Sequence, residues 1–169
     1  MITSLSLPPL NYLLVNFLTF SLFFIFLIKK SKQHKNLKYF FLYGWLFGFG
    51  YFAISLYWIS IALTFDQNFN FLFPLALFVI PAFLALFYGL VSFFFIILKP
   101  IKIVSSFLVF SLIFGITEYI RGSILTGFPW NLIVYSFSNQ LEFLGVLSIL
   151  GTYGLNLFCI SLFTCPAIF

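Results

Sequence analysis

A chain of 169 residues that is 63% hydrophobic and 7% charged, with a mean hydropathy of +1.19, lacks the polar surface that a soluble domain must show to water. Lipid removes that requirement, so the composition points to an all-α, polytopic transmembrane bundle, because helices satisfy their own backbone groups in hydrocarbon. The net charge of +5 does not indicate a nucleic-acid partner, since the lysines are grouped between long apolar runs, as they are in membrane-protein loops.

Crossing the hydrocarbon core takes roughly 20 apolar residues. Runs of that kind occupy 10–28, 39–65, 71–98, 103–120 and 141–163, so residues 1–169 are expected to form one transmembrane domain of about five spans. The stretch before the first run has no positive charge, and no small-residue cleavage site follows that run. It is therefore expected not to be a cleavable signal. Asn11 and Asn16, at the start of the first span, are expected to bond neighbouring helices.

The loop after it, 29–38, carries Lys29, Lys30, Lys32, Lys35 and Lys38, with His34 among them as an expected solvated side chain. In the second span Gly44 and Gly48 form a GxxxG with Gly50 nearby, the pattern of close helix packing within a bundle. Tyr57 and Trp58, toward the far end of that span, have the character of an interfacial aromatic belt. Pro74 and Pro81 are expected to kink the third span or to mark its late start. A second basic loop follows, with Lys99 and Lys102.

Basic loops stay inside, which puts 29–38 and 99–102 in the cytoplasm and leaves 66–70, with Asp66, and the segment 118–140 outside. The N-terminus then falls outside as well, an arrangement expected of a chain that has lost an earlier span. The 29 Phe are expected to be packing or lipid-facing residues. Cys159 and Cys165 lie in an apolar run without a CxxC pair or a nearby histidine, so inert thiols are expected, with no metal site and no cofactor.

The end of the fourth span departs from plain hydrophobicity. Glu118 and Arg121 share one helical face in Thr117-Glu118-Tyr119-Ile120-Arg121-Gly122. Charges at this depth call for a partner or for escape to the interface. One reading is an interfacial ion pair that anchors the helix end. The other has Arg121 facing a phosphate headgroup or seating another domain. Beyond it, Thr126-Gly127-Phe128-Pro129-Trp130 reads as a rigid aromatic turn.

Together, Thr117 to Gly122 and Thr126 to Trp130 closely resemble the two-part signature of bacterial apolipoprotein N-acyltransferases, T-E-[WF]-[LI]-R-G followed by T-G-F-P-W. Leu7-Pro8-Pro9-Leu10 resembles the family's proline-bearing turn, and Gly44 to Gly50 with Tyr57-Trp58-Ile59 resembles its third span. Gly151-Thr152-Tyr153-Gly154-Leu155 resembles the G-x-Y-G-L of its sixth. The resemblance implies an inner-membrane enzyme of lipoprotein maturation. Such an enzyme moves an acyl chain from a phospholipid to the α-amino group of a diacylglyceryl-modified cysteine at a lipoprotein N-terminus. The phospholipid acyl donor, the diacylglyceryl-lipoprotein and membrane lipids are the partners it implies.

Family chemistry passes through a cysteine thioester, with a glutamate base and a lysine, all on a nitrilase-like domain. That domain is expected to be absent from 1–169, so no catalytic residue carries over and the chain alone is expected to be inactive. The resemblance also raises Glu118, Arg121, Phe128, Pro129, Trp130, Tyr57 and Trp58 as candidate residues of a lipid or substrate entrance. The alternative is a truncated or scaffolding membrane protein that pairs with a separate catalytic chain. A transporter is more remote, as no span carries a charge at its midpoint.

Overall fold

The computed structural model describes residues 2–8, 10–34, 36–65, 67–124 and 129–169, with 67, 69 and 70 described for their backbone only. The expectations for Pro9, Lys35, Asp66, Thr126, Gly127 and Phe128 lie outside the described residues. Among the described residues there are helices and turns and no strand.

The helices are α1 (Leu14–Gln33), α2 (Leu37–Ser55), α3 (Tyr57–Ala62), α4 (Ile80–Leu98), α5 (Ile103–Ile124), α6 (Leu141–Leu144) and α7 (Leu147–Thr164). Among the described residues five stretches are long and apolar enough to cross a membrane: α1, α2, Leu75–Leu98, α5 and Leu147–Ile168. The 19 residues of α2 reach roughly 28 Å at ~1.5 Å per residue, comparable to a ~30 Å hydrocarbon core. The chain is a multi-pass membrane bundle.

Several boundaries differ from the apolar runs, each for a local reason. α1 continues through its lysines to Gln33, and α2 begins at once, its N-cap Asn36 accepting from the Lys38 backbone N–H at 3.1 Å. The second run, expected over 39–65, breaks at Leu56 (φ −104°, ψ 6°), and α3 restarts beyond it. In the third, Pro74 lies just before a π-helical turn, Leu75–Val79, that leads into α4. Pro81 sits in the first turn of α4 and has no N–H to return to the preceding turn, a defect that a wider turn absorbs. The last run, expected over 141–163, divides into α6 and α7, and Gly151 interrupts α7 at φ 68°, ψ 169°, a backbone that glycine adopts without strain.

Packing sets the direction of each helix. Phe20 meets Phe114 at 5.6 Å between ring centroids and Phe24 meets Phe110 at 5.4 Å, so α1 and α5 are antiparallel. Gly48 lies at Tyr88 and Gly44 at Ser92, which makes α2 and α4 antiparallel too. A Cβ at Gly44 would collide with the Tyr88 carbonyl oxygen, and one at Gly48 would lie 2.7 Å from Tyr88 Cβ. Gly115 against Leu157 and Gly122 against Tyr153 do the same for α5 and α7. One end of the bundle therefore gathers the α1–α2 and α4–α5 connections with their lysines, and the other gathers α3, α6 and the segment after α5.

Two smaller expectations are corrected. His34 is not a solvated side chain. It is half-buried among Tyr39, Phe40 and Tyr43, with ring centroids at 5.6, 5.6 and 6.3 Å, because the first turns of α2 fold back over it. Asn16 makes no bond to a neighbouring helix. It is fully buried, and neither of its side-chain polar atoms has a partner among the described residues. Asn11 does find one: its Oδ1 accepts from Ser138 Oγ at 3.2 Å.

Candidate functional site

The end of the bundle away from the lysines holds a cavity of about 570 Å³. Leu5 and Leu7, from the turn before α1, form one side. Ile54 at the end of α2 and Tyr57 and Trp58 of α3 form another, and Asn131 and Tyr135 close the floor. Leu7 and Leu56 are buried, whereas Tyr57 and Trp58 stand half-exposed at the lip. The lining is mostly apolar, with hydroxyl and phenol groups from Ser4, Ser55 and Tyr57 and an amide, a phenol and a hydroxyl from the stretch 131–138.

That stretch, with a short 3-10 helix over Ile133–Phe137, is buried outside the long membrane-spanning helices. Leu132, Ile133 and Val134 are fully covered. Backbone groups in such a place must find partners inside the protein, and side chains from several elements supply them. Arg121 Nη2, from α5, donates to the Trp130 carbonyl oxygen at 2.7 Å. Tyr51, from α2, donates its hydroxyl to the Asn131 carbonyl oxygen at 2.8 Å. Asn156 Oδ1, from α7, accepts the Val134 N–H at 3.0 Å. In return Asn131, held at φ 41°, donates Nδ2 to the Ser55 carbonyl at 3.0 Å. That bond captures a carbonyl at the end of α2, and it is the reason the second apolar run stops there. Ser138 reaches Asn11 and so ties the segment to the chain entering α1.

Glu118 and Arg121 stand behind this floor. The same Nη2 of Arg121 also donates to Glu118 Oε2, and both side chains are buried, at 0% and 1% exposure. The guanidinium lies 5.2 Å over the Phe52 ring. Tyr51 and Tyr88 are near enough to interact electrostatically with the pair. The ion pair expected of Glu118 and Arg121 forms, but it is buried inside the protein and not at an interface, and Arg121 also reaches the chain at Trp130. Arg121 Nε and Nη1 find no hydrogen-bond partner among the described residues.

Gly122, next to Arg121, lies against Tyr153, whose hydroxyl would collide with any Cβ there, and Tyr119 meets the Tyr153 ring edge-on at 5.3 Å. Three separated motif pieces thus meet at one place: the Glu118–Arg121 turn, Pro129–Trp130, and the stretch around Tyr153. Burial, with Tyr153 nearby, raises the Tyr135 phenol above its ordinary value while Arg121 pulls the other way, so Tyr135 presents a neutral hydroxyl to the cavity.

Of the candidate entrance residues, Tyr57 and Trp58 line the cavity. Pro129 and Trp130 are half-buried in the chain that leads into its floor, and Glu118 and Arg121 are buried behind it. Phe128 lies outside the described residues. Tyr51, Asn131 and Asn156 hold the floor, although the sequence reading does not single them out. Their signal is a polar group within an apolar run, the one that drew attention to Asn11 and Asn16. No group of His, Cys, Asp and Glu able to hold a metal occurs among the described residues. Both thiols are free, with Cys159 buried and Cys165 half-buried in or just after α7.

Comparison with known proteins gives one consistent result. Residues 1–165 match the profile of the apolipoprotein N-acyltransferase N-terminal domain. The apolipoprotein N-acyltransferase of Rhodopseudomonas palustris is 36% identical, over 99% of this chain and 31% of its own length. Its counterpart in Rhizobium etli is 35% identical over 98% of this chain and 32% of its own, and that of Rickettsia prowazekii is 39% identical over 86% and 28%. The chain spans about a third of the length of the curated relatives it matches. No solved structure matches it.

Proposed function

The chain belongs to the apolipoprotein N-acyltransferase family, of which it carries the N-terminal domain, and from that premise we propose that it is the membrane portion of a lipoprotein N-acyltransferase. In this reading the cavity receives a phospholipid acyl chain on its way to the α-amino group of a diacylglyceryl-modified cysteine. The ester to the glycerol breaks, an amide to the cysteine nitrogen forms, and a lysophospholipid leaves. Tyr57 and Trp58 are the lip over which lipid enters. Arg121, Glu118, Pro129 and Trp130 position the floor, and Gly44 and Gly48 pack α2 on α4 to hold the opposite wall. The bundle sits in the inner membrane with its lysine end in the cytoplasm and 118–140 in the periplasm.

The observation that carries this reading is the cavity itself. Its volume of about 570 Å³ falls within the ~300–1,000 Å³ of small-molecule sites, and apolar walls with few polar groups suit an acyl chain bearing an ester. The chemistry resides outside 1–169. An acyl thioester needs a thiolate with a base and oxyanion donors beside it. Among the described residues Cys159 is enclosed in α7, Cys165 is half-buried just after it, Glu118 is committed to Arg121, and Glu142 is exposed at the start of α6. Residues 1–169 alone form no acyl-enzyme.

A phospholipid carrying a photoreactive group near its ester tests the reading in nanodiscs. Cross-links should concentrate on Leu7, Tyr57 and Trp58, and Ile54→Trp, which fills the cavity, should remove them. Cross-links spread evenly over the lipid-facing sides of α4 and α5, and indifferent to Ile54→Trp, would defeat it. In a full-length relative the matching substitution should lower acyl transfer while leaving abundance unchanged.

A further inference from the structure

The lysine end of the bundle has a groove of its own. About 280 Å³ of space lies between the first turn and a half of α2 and the C-terminal half of α4, lined by Leu37, Lys38, Phe41, Leu90 and Phe93. Its depth depends on a missing side chain: Phe41 lies against Gly89, where a Cβ would come within 2.7 Å of Phe41 Cε2. The floor is apolar, and the one charged residue on it, Lys38, is exposed.

The surroundings of the groove are unbalanced in charge. Lys29, Lys30, Lys32, Lys38, Lys99 and Lys102 all belong to the connections gathered at this end. The described carboxylates, Glu118 and Glu142, belong to the other end, and Glu118 is paired with Arg121. Lys30 Nζ donates to the neutral Gln33 Oε1 at 3.0 Å, which leaves its charge uncompensated. An apolar slot between two membrane-spanning helices, bordered by an exposed lysine within a field of lysines, is complementary to a molecule with an acyl chain and a negative headgroup.

We propose that this groove binds an anionic phospholipid, its phosphate on Lys38 and its proximal acyl chain along Phe41, Leu90 and Phe93. The remaining lysines attract the anionic leaflet in general, and the groove selects one lipid from it. A zwitterionic phospholipid fills the slot equally well but brings an ammonium group toward the lysines. The site is separate from the cavity at the opposite end and does not depend on the function proposed for it.

Retention of lipid by the purified chain tests the proposal. The chain is reconstituted in phosphatidylcholine vesicles with graded phosphatidylglycerol and then extracted, and the lipid still bound is counted by native mass spectrometry. Phosphatidylglycerol should be retained over phosphatidylcholine. Lys38→Gln should reduce that retention by more than the roughly 5-fold that any one lysine contributes near an anionic surface. Leu90→Trp, which fills the slot and leaves every charge in place, should reduce it as well. Equal retention of the two lipids overturns the proposal. So does a loss on Lys32→Gln as large as that on Lys38→Gln, which would mean diffuse attraction without a site. Inorganic phosphate that displaces phosphatidylglycerol at millimolar concentration would show a free-anion site and also overturn it.

Discussion

Arg121 Nη2 serves two oxygens at once, the Glu118 carboxylate on its own helix and the backbone carbonyl of Trp130, 2.7 Å away on the chain that returns beneath the cavity. The two-part motif is joined by this contact. Its first half supplies a buried cation, and its second half supplies the carbonyl that the cation holds. Glu118 keeps the guanidinium neutralised, and Phe52 covers one of its faces. The pair is therefore a support for the cavity floor, and its energetics are those of a buried ion pair.

Removing one member of such a pair strands the other. Arg121→Ala should lower the stability of the chain in detergent by about 3–5 kcal/mol, because Glu118 is left charged and enclosed. Glu118→Gln with Arg121→Met, which removes both charges and roughly keeps the volume, should recover a large part of that loss. Thermal unfolding of the single and double variants measures the difference. A double variant no more stable than Arg121→Ala would mean that the Trp130 contact outweighs the ion pair.

The burial of Arg121 is not legible in Thr117 to Gly122. A charge near the end of an apolar run has the same local sequence whether it snorkels to water or is covered, and here the cover is 129–138, a stretch that no periodicity marks as buried. The end of α2 is hidden for a similar reason, since Ser55 is followed by more apolar residues and only the distant Asn131 intercepts its carbonyl. His34 looks solvated among lysines until Tyr39, Phe40 and Tyr43 close over it. What could be read is what depends on composition or on a fixed spacing. The helical bundle follows from hydropathy, the shared end of the lysine stretches from charge, and close helix packing at Gly44 and Gly48 from their interval, though the identity of the partner, α4, does not.

Glycine positions in the bundle should differ in tolerance according to what a new methyl group meets. At Gly44 it meets the backbone carbonyl of Tyr88, which cannot move without shifting α4. At Gly122 it meets the end of one side chain, the Tyr153 hydroxyl and the ring carbon that bears it. Both Gly44→Ala and Gly122→Ala should destabilise, by about 1–3 kcal/mol, with Gly44→Ala the worse of the two. Tyr153→Leu, which removes the ring as well as the hydroxyl, should rescue Gly122→Ala, and no single side-chain truncation on α4 should rescue Gly44→Ala. Unfolding midpoints of the four variants decide it.

Asn156 gives a test of the floor that leaves the charges alone. Its Oδ1 is the acceptor for the Val134 N–H, and both residues are fully buried. Asn156→Ala should cost about 1–3 kcal/mol by leaving that N–H unpaired. Amide hydrogen exchange should then quicken across 132–137 before it does so in α4 or α5. Uniform acceleration throughout the bundle would instead make Asn156 a general packing residue of α7.

The two ends of the bundle differ enough in charge to set its orientation. Lys29, Lys30, Lys32, Lys38, Lys99 and Lys102 share one end, while Glu118, Glu142 and the cavity share the other. Positive loops resist translocation, so the lysine end should remain in the cytoplasm. Cys159 and Cys165 are first replaced by Ala and Ser, and single thiols are then introduced at exposed positions as Lys32→Cys or Ser123→Cys. An impermeant maleimide should label Ser123→Cys in cells with an intact inner membrane, and Lys32→Cys only after that membrane is opened. The reverse pattern would put the cavity on the cytoplasmic side, where a lipoprotein N-terminus delivered to the outer face could not reach it, and the acyltransferase reading of the cavity would fail with the orientation.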